Sequence, residues 1–168
     1  YCDAKDSKKR KSTILLLNII LNALLKWFAP ILSFTTEEIF KLLFKDKKSI
    51  HLEKFQELPD KFKNEKLSEK WIELIKIRNI CNISIEEKRA SKEIGSSLEA
   101  EISVKLNNDY KKIIDNIDLS EVCITSKAEI IYDDKADIAV ISKKALGEKC
   151  PVCWKISPKP CIRHPKNA

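Results

Sequence analysis

Methionine is absent from the sequence, glycine occurs only at positions 95 and 147, and histidine only at positions 51 and 164. Each shortage excludes something. A 168-residue chain with no Met reads as a piece of a longer translation product. Two glycines cannot build a phosphate-cradling loop, which needs several close approaches of bare backbone to a nucleotide. Neither His51 nor His164 stands in a recognisable arrangement with Ser or Cys and an acid, so no self-sufficient catalytic site is legible. Arginine is scarce too, with 4 Arg against 28 Lys alongside 24 Ile. That bias is compositional, and it weakens any inference from basicity alone.

Hydrophobic residues make up 43% of the chain, enough to core one or two domains of this length. The net charge of +7 is unevenly spread: residues 1–48 carry +5, residues 49–142 carry −4 and residues 143–168 carry +6. Basic ends of this kind attract a polyanion through long-range steering and counterion release, and nucleic acid leads the candidates.

From Ile14 to Phe34 runs a mostly apolar stretch behind the basic cluster Lys8, Lys9, Arg10 and Lys11. A membrane anchor is one reading. Asn18, Asn22 and Lys26, however, recur every four residues and stack into one polar stripe, and Pro30 then interrupts the pattern. A buried bundle helix with one wet edge explains that spacing better than a span, and no cleavage site of a signal peptide follows. Thr35 and Glu38 have capping-box spacing, which predicts a second helix from about Thr36 presenting Ile39, Phe40, Leu43 and Phe44 to the first. After an extended stretch at residues 50–55 and a turn at Pro59, a long helix is expected from about Leu67 to Ser91. Its apolar face would hold Leu67, Trp71, Leu74, Ile75, Arg78 and Cys81, with Lys88, Arg89 and Lys92 at its far end.

Beyond Gly95 the period changes. Leu98, Ala100, Ile102, Val104 and Leu106 alternate with polar residues, as in a half-buried strand. A short helix at residues 109–117 and β-rich runs at residues 122–125, 129–132 and 138–141 suggest a compact α+β subdomain. The expected fold class is therefore mainly α: a helical bundle over residues 1–94, a small α+β subdomain over 95–146, and a tail over 147–168.

Chemistry is concentrated in that tail. Cys150-Pro-Val-Cys153 is followed by Cys161-Ile-Arg-His164. A two-residue gap lets both side chains of a turn point at one ion, and two such turns supply the closed tetrahedral shell of structural zinc, with no open position for catalysis. Lys149, Lys155 and Arg163 lie close enough in sequence to help keep the thiols deprotonated. A redox pair, a disulfide or a decayed knuckle are the other readings. Cys2, Cys81 and Cys123 are scattered singly and read as small core residues in a reducing cytosol.

The segment Ala29-Pro-Ile-Leu-Ser-Phe-Thr-Thr-Glu-Glu-Ile-Phe40 resembles the anticodon-domain segment shared by isoleucyl-, valyl- and leucyl-tRNA synthetases. Four further segments are similar to bacterial-type isoleucyl enzymes of class I: Tyr1-Cys-Asp-Ala4, Lys92-Glu-Ile-Gly-Ser-Ser-Leu-Glu-Ala100, Glu121-Val-Cys-Ile-Thr-Ser126 and Lys149-Cys-Pro-Val-Cys-Trp-Lys155. Together they span essentially the whole chain in the family's order. This resemblance implies a helical anticodon-binding bundle, a small mixed subdomain and a C-terminal zinc finger that assists productive tRNA binding. It implies that tRNA(Ile) and an upstream catalytic domain of the same chain are the partners, that the setting is cytoplasmic without a membrane, and that the parent is a ligase. ATP and Mg²⁺ would belong to that missing catalytic part and structural Zn²⁺ to this one, held by Cys150, Cys153, Cys161 and His164. Where the family usually closes its last knuckle with Cys this chain has His164, its spacer is shorter, and Val152 replaces a common Arg.

RNA contacts are expected from Lys88, Arg89, Lys92, Lys149, Trp154, Lys155 and Arg163. Each of the cations also fits a plain solvated face, and Trp154 fits a cap on the finger's own small core. Two other classes compete: a DNA-glycosylase C-terminal finger, which the upstream helices argue against, and a free-standing zinc-stapled interaction module, whose binding would be nearly independent of salt.

Overall fold

The computed structural model describes residues 3–134 and 137–164; Tyr1 and Cys2, used in the reading above, lie outside them. The chain divides into two compact units after Lys63. The first is a helical hairpin. Helix α1 spans Lys8–Phe28 and starts at Ser7, whose hydroxyl accepts from the Arg10 amide. A turn around Pro30, which cannot donate to a continuing helix, leads into α2 at Ser33–Leu43. A 3-10 turn follows at Ile50–Leu52 and another at Asp60–Phe62. Leu25, Ala29, Phe40 and Ile50 form the core, flanked by Leu21, Ile39 and Phe44. The Glu37 carboxylate pins the first of these turns by accepting from Ser49 Oγ at 2.8 Å and the Ile50 amide at 2.9 Å.

Three expectations for this unit need correction. Helix α2 begins at Ser33, and Thr36 lies inside it, its hydroxyl donating to the Leu32 carbonyl at 2.9 Å, so Thr35 caps nothing. Leu43 is half exposed and outside the core. The polar stripe of α1 is a wet edge only at Asn18: Asn22 and Lys26 are half-buried, and Lys26 pairs with Glu53 at 3.4 Å. Beyond its basic first turns, much of what α1 exposes is apolar, with Leu15 at 66%, Leu16 at 53% and Leu17 at 56%. Only Ala23 and Leu25 are buried along its length, because α2 and the 50–52 turn cover a single strip around Leu21, Leu25 and Ala29. By length and composition α1 is also long and apolar enough to cross a membrane.

In the second unit, α3 at Glu65–Ala90 starts at Asn64, whose side chain accepts from the Leu67 amide at 3.0 Å. It ends in a left-handed turn at Lys92, φ 60°, where Lys88 carbonyl accepts from Glu93 and Arg89 carbonyl from Lys92. Strand β1, Ala100–Leu106, is central: β2, Lys127–Tyr132, pairs parallel on one side, and β3, Ala139–Lys144, antiparallel on the other. The parallel β1–β2 link requires a long connection, supplied by a turn at Asn108–Tyr110 and the short helices α4, Lys111–Ile114, and α5, Leu119–Val122. Ala100, Ile102, Val104 and Leu106 of β1 are fully buried and share one core with Leu74, Ile77, Cys81 and Ile85 of α3.

That shared core revises the domain reading. The long helix expected to finish a bundle ending at residue 94 belongs instead with the sheet, because its buried face joins the β1 side chains. Its face is also rotated: Leu74 and Cys81 are buried as expected, but Leu67, Trp71 and Ile75 are about half exposed, and Ile77 and Ile85 take their place. The β-rich run expected at 122–125 is the end of α5, where the Asp118 carboxylate accepts from the Ser120 amide and starts a helical turn. Cys123 is buried there beside Cys81, and a hydrogen bond between the thiols, with burial, pushes the Cys81 thiol up.

The rotated face gives a direct check by urea unfolding of the full chain. Ile77→Ala is expected to lose about 2–5 kcal/mol as a fully buried Ile truncation, and Ile75→Ala, on the outer face, to stay within about 0.5 kcal/mol of the parent beyond its small propensity change.

Candidate metal centre

The tail begins with a tight hairpin. Strands β4, Glu148–Lys149, and β5, Ile156–Ser157, pair antiparallel, and the Cys150 amide donates to the Lys155 carbonyl while the Trp154 amide donates to the Cys150 carbonyl, both at 2.9 Å. This closed turn aims Cys150 and Cys153 inward, both nearly fully buried. Trp154 sits at φ 64°, a left-handed conformation uncommon for a bulky side chain. Gly147, φ 122°, stands at the hairpin base, where a Cβ would overlap the Ser157 carbonyl. A second turn, closed by the His164 amide on the Cys161 carbonyl at 3.0 Å, supplies the other two side chains.

Each of the four residues offers one ligand atom, and all four atoms lie within 4.8 Å of one another. His164 Nδ1 is 3.6 Å from Cys150 Sγ and 3.5 Å from Cys161 Sγ, and Cys153 Sγ is 3.6 Å from Cys161 Sγ. Tetrahedral bonds of zinc length place ligand atoms about 3.8 Å apart for two sulfurs and about 3.6 Å for sulfur and nitrogen. The observed spacings match that edge length, whereas a disulfide needs sulfurs at about 2.05 Å. The donor set can therefore hold one metal ion, and its chemistry of three thiols and one imidazole suits a soft or borderline one.

Protonation within the cluster is uneven. Amide donation from Cys153, together with that from Val152, outweighs burial and brings Cys150 down to about 6. Burial pushes Cys153 up to about 11; burial also raises Cys161, but contacts with His164 and Cys153 and amide donation from Arg163 and His164 together outweigh it and lower that thiol. Like-charged sulfurs this close cannot all ionise unless a cation is among them.

Of the other nominated residues, Lys155 and Arg163 converge on one carboxylate. Glu121 Oε1 on α5 receives Lys155 Nζ at 2.6 Å and Arg163 at 2.8 Å, and Lys155 also donates to Ser120 Oγ at 3.0 Å. Burial would raise the Glu121 carboxyl, but these two cations outweigh it and hold it at about 2. Ser126 Oγ accepts from the Ile156 amide, a second tie between tail and body. Sequence spacing gave no sign of Glu121, Ser120 or Ser126, which lie some thirty residues away from their partners; Glu121 and Ser126 stood only within a segment quoted for its resemblance.

Of the remaining nominees, Arg89 and Lys92 line an open polar cleft of about 620 Å³ together with Glu86, Glu93, Glu99 and Lys144, among others. Arg89 pairs with Glu86 at 2.7 Å, Lys88 with Glu93 at 2.9 Å, and Lys149 with Glu99 at 3.8 Å. Among the described residues, Lys92 and Lys144 have no ion pair. Lys149 Nζ also lies 5.7 Å from the centre of the Trp154 ring, and Trp154 is 58% exposed.

This arrangement coincides with a recognised family. The sequence model of the anticodon-binding domain of tRNA ligase matches residues 1–121, and the chain belongs to that family. Relatives in this family to which it is similar are isoleucine–tRNA ligases: that of Pelagibacter ubique (strain HTCC1062) is 60% identical over 164 residues, that of Bartonella henselae 36% over 166, and that of Agrobacterium fabrum 35% over 168. The alignments cover 98%, 92% and 94% of this chain, but it spans only 18%, 17% and 17% of those relatives.

Gly147 offers a test of the hairpin. Gly147→Ala forces a Cβ into the Ser157 backbone at a strained φ, and is expected to destabilise by more than about 1 kcal/mol. Amide exchange across residues 148–157 should speed up while the β1 amides stay protected; unchanged exchange would contradict the geometry.

Proposed function

We propose that this chain is the tRNA-holding, zinc-bearing C-terminal part of an isoleucine–tRNA ligase. The observation that carries this reading is 60% identity over 98% of the chain to an isoleucine–tRNA ligase, and the Cys₃His cluster supports the zinc. In the whole enzyme, a cytoplasmic ligase, the remainder joins isoleucine to tRNA(Ile) with ATP and Mg²⁺, and this part fixes the RNA at its anticodon side. Residues Cys150, Cys153, Cys161 and His164 hold a structural Zn²⁺, which closes the tail and does no chemistry.

For RNA, the cleft edge is the best-supported surface. Lys92 and Lys144 are available for phosphates, Lys149 extends the row toward the tail, and Trp154 presents an exposed ring on which a base can stack. Lys88 and Arg89 flank this edge within ion pairs that a phosphate can exchange into. Lys155 and Arg163 contribute positive field while committed to Glu121.

Two measurements test the reading. Elemental analysis of reduced protein is expected to find one zinc per chain, bound with release of protons and more weakly as pH falls, because the ligands must deprotonate. A filter-binding series with tRNA(Ile) should show a steep log-log dependence on salt. Lys92→Ala with Lys149→Ala is expected to reduce that slope by about 2, one for each phosphate contact. Zinc-free protein, or affinity indifferent to salt, would remove the corresponding half of the proposal, and tighter binding to duplex DNA would favour the glycosylase finger.

A further inference from the structure

The tail's two metal-bearing turns reach one carboxylate that lies outside the tail. Lys155 follows Cys153 by two residues, and Arg163 sits between Cys161 and His164, so the two cations stand one on each arm of the cluster. Both meet the same oxygen of Glu121, at 2.6 and 2.8 Å, with all three side chains 20–31% exposed. An isolated surface pair contributes little, but this is a partly buried network in which one anion bridges two cations. Its anchor is firm, since Leu119 and Cys123 on either side of Glu121 belong to the buried core of the second unit.

We infer that Glu121 is a positioning residue for the metal centre: a carboxylate staple that holds both arms of the cluster together and seats them on α5. The inference rests on the zinc reading above. Without the carboxylate, Lys155 and Arg163 lose the oxygen they share, and with it the attraction that draws the two arms together at α5. Arg163 is flanked by two metal ligands, so its displacement carries Cys161 and His164 away from Cys150 and Cys153. Groups that orient metal ligands from behind typically change metal affinity by about 10–100-fold when removed.

The test compares the full chain with Glu121→Gln and Glu121→Asp by competition for Zn²⁺ against a chromophoric chelator. The Gln variant is expected to bind zinc about tenfold more weakly or worse. The Asp variant, which keeps the charge on a shorter stem, should recover much of the loss. Circular dichroism and urea unfolding of the core should stay close to the parent, separating positioning from general destabilisation. Wild-type zinc affinity in a folded Glu121→Gln chain overturns the inference. Should that variant not fold, Arg163→Gln, which leaves α5 untouched, must show the same weakening, and wild-type affinity there overturns it equally. If the parent chain itself takes up no zinc, the zinc reading fails rather than the staple. Amide exchange at residues 156–163 then decides: faster exchange in Glu121→Gln upholds the staple, and unchanged exchange ends it.

Discussion

Strand β1 is the constraint on which the second unit depends. Hydrogen-bonded along both edges and covered by α3, it contributes Ala100, Ile102, Val104 and Leu106 to the core without residual exposure. The surrounding features are fixed relative to it. Glu99, immediately before the strand, pairs with Lys149 at the entrance to the hairpin that carries Cys150 and Cys153. Ser126, just ahead of β2, donates its amide to the Ala100 carbonyl and accepts from Ile156. The Lys92 turn that ends α3 lies just ahead of the same strand, so cleft and tail are both positioned by one buried element.

How legible this was in the sequence depended on whether the signal was local. The alternation beyond Gly95 has only one reading, and β1 follows it from Ala100 to Leu106, while Leu98 falls in a 3-10 turn ahead of the strand. The two knuckles are likewise short-range patterns, and their side chains do converge. The α3 face was misread because Leu74, Ile75, Ile77 and Ile80 make that stretch apolar on more than one side, so helical periodicity alone cannot choose between Ile75 and Ile77; the sheet chooses. The run at 122–125 reads as strand from its β-branched composition, but the Asp118 cap fixes a helical turn first. For α1, a polar stripe was equated with solvent, whereas Lys26 finds Glu53 and Leu15, Leu16 and Leu17 are exposed.

Counting cations gave a poorer guide to function than tracing their partners. The sequence nominated six cationic residues, and four of them, Lys88, Arg89, Lys155 and Arg163, are engaged with carboxylates at 2.6–2.9 Å. Those at Glu121 organise the tail, while Lys92 and the unanticipated Lys144 are left facing the cleft. Periodicity cannot reveal such a division, because Glu121 and Lys155 are brought together only by the fold. The family match ends at Glu121 itself, so the residue that seats the tail is the last one of the matched domain.

The spacing of these contacts along the chain also bears on the order in which they form. Cys150 and His164 are 14 residues apart, whereas Glu121 and Lys155 are separated by 34. Closing the longer loop carries about 0.8 kcal/mol more entropy loss than closing the shorter one, and it further requires that α5 already be in place. The tail's four donors can therefore gather while the body is still folding, and an ion captured at that stage travels with its loop to the docking position on α5.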